Sequence, residues 1–172
     1  MAPTFKLSIN ISASDLSKKD FIPMLGRAMM LHGISGRNIE LEITESALAH
    51  DVYSARRMLE QLAHLGISVA IHDFGAGYSN LSQLYDLRFD VLKIDHALIR
   101  DAVTNDRVDA IVQCVVALAK RLGHRVVVEG VETAELRSMA AGWDCDETQG
   151  YFISHPMEAL GRSVWVETHG GR

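Results

Sequence analysis

Five stretches of this sequence set an amide, an acid or a lysine at or just past the end of an apolar run: Asn10, Glu42 with Glu45, His72 with Asp73, Lys93 with Asp95, and Glu129 with Glu132. Carboxylates brought together repel one another and raise each other's pKa unless a cation holds them. Glu42, Asp73 and Glu129, with Asn10 alongside, make an all-oxygen donor set that lacks thiolate and so selects hard ions such as Mg²⁺ or Mn²⁺. Lys93 beside such a set could stabilise a phosphate oxygen or a metal-bound hydroxide. The combination suits metal-assisted hydrolysis of a phosphodiester, with metal activating water and clamping the phosphate. Each residue alone has a plainer reading. A strand-end acid is commonly a helix cap, and a lone lysine commonly snorkels at the surface. Five consecutive runs with the same habit are hard to explain as caps, so the set carries the inference.

The elements that must position these residues alternate along the chain. Strands are expected at Leu7–Ser12, Ile39–Ser46, Ser68–Phe74, Val91–Asp95, Arg125–Val131 and around Tyr151–Ile153, short and rich in Val and Ile. Helical spacing of apolar residues recurs between them, at Met58, Leu59, Leu62 and Leu65, and at Ile111, Val112, Val115, Val116, Leu118, Ala119 and Leu122. Asp51 and Asp106 stand near helix starts, and Gly66 and Gly123 follow helix ends. A βα repeat implies a parallel sheet with helical crossovers. No GxGxxG follows the first run, which argues against a dinucleotide-binding open sheet. Polar residues delivered strand after strand to one end favour a (β/α) barrel, where strand ends converge on one mouth.

Composition adds exclusions. The 172 residues are 48% hydrophobic and 23% charged, ordinary for a globular protein. A net charge of −5 gives no electrostatic reason to expect a nucleic acid polymer as partner. No apolar run approaches the roughly 20 residues that cross a bilayer, and Met1–Ser12 lacks the form of a signal peptide. Cys114 and Cys145 show no metal-type spacing and read as one core thiol and one loop thiol of a cytoplasmic protein.

Six ordered motifs carry a family resemblance. Asn10 within Ser8–Ser12, Leu41–Ser46 (LEITES), His72–Ser79 (HDFGAGYS), Leu92–Asp95 (LKID), Glu129–Glu132 (EGVE) and Gln149–Tyr151 (QGY) resemble, in order, the signatures of the EAL domains that act on cyclic di-GMP. The resemblance implies an α/β fold, a TIM-like (β/α) barrel of EAL type. Its family activity is hydrolysis of cyclic di-GMP to linear pGpG with Mg²⁺ or Mn²⁺. By position, Asn10, Glu42, Asp73 and Glu129 would be metal ligands, and Glu129 and Lys93 would position or activate the attacking water. Glu45 would hold the Phe74–Ser79 loop, while Asp95, Glu132 and Gln149 would support the site or face substrate.

Two departures shape the expectation. The Glu-Ala-Leu motif that names the family, whose Glu is a metal ligand, is absent from these residues, as is the nearby Arg that meets a substrate phosphate. His72 also stands where the family has the first Asp of its DDFG pair. Imidazole offers one lone pair to one metal and cannot bridge two as a carboxylate does. The barrel is therefore expected to be incomplete, with about six of its eight strands, over residues 1–168 and a tail at 169–172. Its exposed edges are expected to make it a homodimer or to be completed by another chain. The expected function is a catalytically silent or severely impaired module of cyclic di-GMP signalling. The alternatives are a phosphodiesterase completed by a partner or a longer parent protein, and, more remotely, a different Mg²⁺-dependent barrel enzyme.

Overall fold

The computed structural model describes residues 6–49, 52–76 and 85–158. The expected helix start at Asp51, residues 77–79 of the glycine loop and the boundary at 168 lie outside the described residues. Six strands form one parallel sheet in chain order: β1 Leu7–Ile11, β2 Ile39–Thr44, β3 Ser68–Phe74, β4 Val91–Ile94, β5 Arg125–Val128 and β6 Glu147–Thr148. Helices α1 (Ala13–Leu16) and α2 (Phe21–His32) join β1 to β2, and α3 (Glu45–Ala49) and α4 (Val52–His64) join β2 to β3. Helices α5 (His96–Ala102) and α6 (Asp106–Arg121) lie between β4 and β5, and α7 (Ala134–Gly142) between β5 and β6.

The sixth strand differs from expectation. Glu147 and Thr148 pair with Val127 and Val128, whereas Tyr151–Ile153 form a turn closed by the Ile153 amide on the Gly150 carbonyl at 3.0 Å. All three of those apolar side chains are exposed. A short aromatic and β-branched run does not distinguish a strand from an apolar turn by spacing alone. The ladder also ends before it: Gln149 donates to the Val128 carbonyl at 2.8 Å, and its own carbonyl accepts from Val131 at 3.0 Å.

Alternation along the strands divides the sheet into two faces. Leu41, Ile43, Val69, Ile71, Leu92, Ile94, Val126 and Val128 belong to the main core with helix residues such as Leu59, Leu62, Val112 and Ala119. The opposite face carries Glu40, Glu42, Ser68, Ala70, His72, Val91, Lys93, Arg125 and Val127. Ala70, Val91 and Val127 form a small apolar layer of their own there. The Arg125 guanidinium on β5 reaches the Glu40 carboxylate on β2 at 3.2 Å. Three strand spacings in a flat sheet would separate those strands by roughly 14 Å. The contact therefore requires the sheet to curl toward this face, as the wall of a barrel does. Among the described residues the wall does not close, and β1 and β6 are its edges.

Two details correct the sequence reading. On α6, Val112, Val115, Val116 and Ala119 are buried, but Ile111 and Leu118 are exposed, as is Leu122 just past its end. One sheet face covers only a stripe of a helix, so the flanks of a broad apolar band stay in water. Cys114, on the same helix, is exposed rather than in the core, and both cysteines are free. Asn105 caps α6, its side chain accepting from the Arg107 amide, with Asp106 next in line. No described helix is long and apolar enough to cross a membrane.

Candidate metal centre

The mouth of the curled sheet is built from alternate residues of its central strands. Glu42 and Lys93 come from within β2 and β4, His72 lies near the end of β3, and Glu129 follows β5. Lys93 is nearly inaccessible, and its Nζ donates to Glu42 Oε1 at 2.8 Å and pairs with Glu129 Oε1 at 2.6 Å. The second oxygens of the same two carboxylates turn toward His72, whose Nε2 lies 3.1 Å from Glu129 Oε2 and 4.0 Å from Glu42 Oε2. Each glutamate is thus divided between a lysine and an imidazole.

His72 is fixed from its other side as well, because Nδ1 lies 2.7 Å from Asp73 Oδ1. That contact depends on an unusual backbone. Asp73 has φ of 59°, and the pairing of β3 with β4 slips between Ile71 and Phe74. An extra residue at a strand end re-aims side chains, and aspartate tolerates the left-handed region better than most residues. Gly130, directly after Glu129, has φ of 70°, and a Cβ there would lie 2.3 Å from the His96 Cβ. Only glycine lets the chain leave β5 this close to α5.

The charges follow from this packing. The Glu129 carboxylate beside it raises the His72 imidazole from its ordinary 6.5 to about 9, against the opposing pull of burial and with help from Asp73. Burial would lower Lys93, but its hydrogen bonds to Glu129 and Glu42 outweigh that and hold the ammonium above its usual value. Burial would likewise raise Glu129, and His72 and Lys93 reverse the sign, holding its carboxyl below the usual range. Lys93 and His72 thus stand between the carboxylates of Glu42, Glu129 and Asp73.

Glu42, His72 and Glu129 offer ligand atoms within 4.8 Å of one another, a donor set that fits a divalent cation. Asn10 is the residue opposite Glu42 in the β1–β2 pairing and is exposed at the same end. Asp73 is not part of the three-residue group, and its carboxylate meets His72 instead. Asp95 is buried and caps α5: Oδ1 accepts from the Ala97 amide at 2.8 Å, and Oδ2 lies 3.1 Å from His96 Nδ1. Glu45 is buried as the first residue of α3, while Glu132 and Gln149 are exposed beyond β5 and β6. The loop assigned to Glu45 lies partly outside the described residues.

Sequence reasoning missed the floor below the mouth. Glu40 is buried and accepts from Lys6 Nζ at 3.2 Å, Ser8 Oγ at 3.3 Å, Ser68 Oγ at 3.2 Å and the Arg125 guanidinium. Arg125 also pairs with Glu147 on β6. The available signal was Glu-Leu-Glu in β2, because residues two apart share a face and a second acid on the site-bearing face needs partners.

Comparison with known proteins agrees with this fold. The EAL domain family profile matches residues 1–156. The cyclic di-GMP phosphodiesterase PA2567 of Pseudomonas aeruginosa is 38% identical over 152 residues, covering 88% of this chain and 26% of that protein. The EAL domain of Mycobacterium smegmatis DcpA superposes with a TM-score of 0.88 at 34% identity, over 95% of this chain and 73% of that one. Klebsiella pneumoniae BlrP1, solved as a manganese and cyclic di-GMP complex, superposes with a TM-score of 0.83 at 33% identity, over 90% of this chain and 40% of its own. The chain thus spans about a quarter of the length of its curated relative PA2567.

Proposed function

The chain belongs to the EAL domain family, and on that premise we propose that it recognises cyclic di-GMP but hydrolyses it poorly or not at all. The observation that carries this reading is the placement of His72. It replaces the first carboxylate of the family's Asp-Asp pair, and both its ring nitrogens already face acids, Glu129 on one side and Asp73 on the other. An imidazole gives one lone pair to one metal and cannot join two. It also removes a negative charge from a site that must attract divalent cations.

A divalent ion here would be held by Glu42, His72 and Glu129, and when bound would supply positive charge toward a phosphate and a more acidic water. The chain's own residues do the rest. Lys93 fixes the spacing of Glu42 and Glu129 and helps to hold the Glu129 carboxyl below its usual range. Asp73 orients the His72 ring. Asn10, at the same end, is placed to meet the ligand. Mg²⁺ or Mn²⁺ remains the family expectation, consistent with the manganese complex of the BlrP1 relative.

One observation favours a second reading, a working phosphodiesterase. The Lys93–Glu129 pair, at 2.6 Å, keeps the residues that the resemblance assigns to the attacking water. This requires the family's missing Glu to come from a longer parent protein or a partner. The exposed β1 edge, with Leu7 in water, suits completion by further strands or a second copy. Sedimentation checks that point, and a cooperatively melting monomer argues against it.

The functional proposal is tested by calorimetric titration with cyclic di-GMP, with and without Mg²⁺ and Mn²⁺. Saturable binding of one nucleotide supports it. Failure to bind under any of these conditions overturns it and leaves a protein-interaction role.

A further inference from the structure

We propose that Glu42 Oε2, His72 Nε2 and Glu129 Oε2 form a one-nitrogen, two-oxygen site for a single first-row transition ion, which takes Co²⁺ or Zn²⁺ in preference to Mg²⁺. The inference deepens the functional reading above and rests on the same mouth of the sheet being the metal site.

The carboxylates are already divided in the way such a site needs. Their Oε1 atoms are engaged by Lys93 at 2.8 Å and 2.6 Å, and their Oε2 atoms face the imidazole. A cation can therefore enter on the His72 side without displacing the lysine. Ligand atoms about 2.1 Å from one ion stand about 3.0–3.4 Å apart. The His72–Glu129 separation of 3.1 Å meets this, and the His72–Glu42 separation of 4.0 Å must close by less than an ångström.

The ring is also set up as a ligand. Asp73 Oδ1, 2.7 Å from Nδ1, holds the hydrogen on that nitrogen, so that when a metal displaces the Nε2 proton to solvent the Nε2 lone pair faces the ion. A carboxylate behind a ligating histidine fixes the orientation of the ring and raises its basicity. This gives Asp73 a positioning role in place of direct ligation.

The choice of ion follows from the donors. Mg²⁺ favours all-oxygen surroundings and gives up water reluctantly. Imidazole suits the later first-row ions, whose affinity for nitrogen and oxygen sites rises along the series. Charge acts in the same direction. Lys93 cancels one of the two glutamates and His72 supplies no negative charge when it ligates. With Asp73 behind the ring, the field that would draw in a hard ion is weaker than in an all-carboxylate site, while a covalent preference for nitrogen is kept.

The test uses the metal-stripped full chain with Co²⁺, Zn²⁺ and Mg²⁺ alone, and no nucleotide. One Co²⁺ should bind per chain, with d–d bands and no thiolate charge-transfer band. Zn²⁺ should displace it stoichiometrically, and Mg²⁺ in large excess should not. In NMR spectra the His72 ring signals should broaden first. His72→Gln should abolish the Co²⁺ spectrum, and Asp73→Asn should weaken Co²⁺ binding about 10–100-fold. Displacement of Co²⁺ by comparable Mg²⁺, or broadening that spares His72, overturns the proposal. The NMR reading on the unaltered protein decides the matter even where His72→Gln does not fold. A failure here leaves cyclic di-GMP recognition standing, because that is read by a separate titration.

Discussion

His72 Nε2 on β3 lies 3.1 Å from Glu129 Oε2 beyond β5, although β4 runs between those two strands. The contact spans the concave face of the sheet, so it reports curvature and chemistry together. A flatter wall would part the two groups. A carboxylate in place of the imidazole would face Glu129 as a like charge, and a cation would have to come from outside. In this chain the cation is built in.

Lys93 should therefore be a stability residue as well as a site residue. Removing it leaves Glu42 and Glu129 without their shared ammonium, and breaking a buried ion pair by deleting one partner costs about 3–5 kcal/mol. Lys93→Ala should lose an amount of that order in urea unfolding of the metal-free protein. A loss below about 1 kcal/mol, the range of surface pairs, would show that the mouth is more hydrated than its packing indicates.

Glu40 offers the complementary case at the opposite end of the sheet. Glu40→Ala strands Arg125 and Lys6 beneath the Ala70, Val91 and Val127 layer. Because Lys6 and Arg125 are both partly exposed and the buried member is the one removed, the cost should lie below the buried-pair range, about 1–2 kcal/mol. Cyclic di-GMP affinity should be unchanged in calorimetry, since barrel sites lie at the other end. A large loss of affinity would place the ligand elsewhere.

Acid stability should depend on Asp146. Its Oδ2 accepts from the Val126 amide at 2.8 Å and its Oδ1 from Lys120 at 3.2 Å. Burial would raise this carboxyl, but the Val126 amide and Lys120 outweigh it and hold the group below its ordinary 3.8. A depressed carboxyl stabilises the fold above its unfolded pKa, and that contribution is lost as pH falls through the folded value. Asp146→Asn can keep an oxygen for Val126 while losing the charge. Its urea midpoint should fall less steeply than wild type below about pH 4. Parallel curves would assign the acid loss to other carboxylates.

The two thiols should differ in reactivity. Cys114 is exposed on α6, whereas burial pushes the Cys145 thiol up to about 12, with Asp146 adding to the rise. Thiolate is the reactive form, so a disulfide reagent at neutral pH should modify Cys114 rapidly and Cys145 only as the protein unfolds. Two equally fast phases would mean that the segment between α7 and β6 opens freely.

The convergence of Glu42, Lys93 and Glu129 was legible in the sequence because each follows from one rule, a polar residue on alternate positions of an apolar strand. Parallel βα order then delivers them to one end. Asp73 was less legible. Its left-handed backbone and the slipped β3–β4 pairing turn it toward His72, and neither is encoded in spacing. Asp95 was read at the site, yet both its oxygens serve the start of α5. A strand-end acid before a helix satisfies both readings until the backbone amides are placed. Tyr151–Ile153 misled because apolar composition does not specify a partner strand, and the pairing had already ended at Thr148.

The most direct test of the account is the rate of pGpG release from cyclic di-GMP by the wild-type chain and by His72→Asp, each joined to the Glu-Ala-Leu-bearing strands of the family, measured side by side with Mg²⁺ or Mn²⁺. Restoring the carboxylate should give the faster enzyme, with wild type near background while the nucleotide stays bound. Equal rates in the two proteins, whatever their size, would contradict the claim that His72 sets the limit.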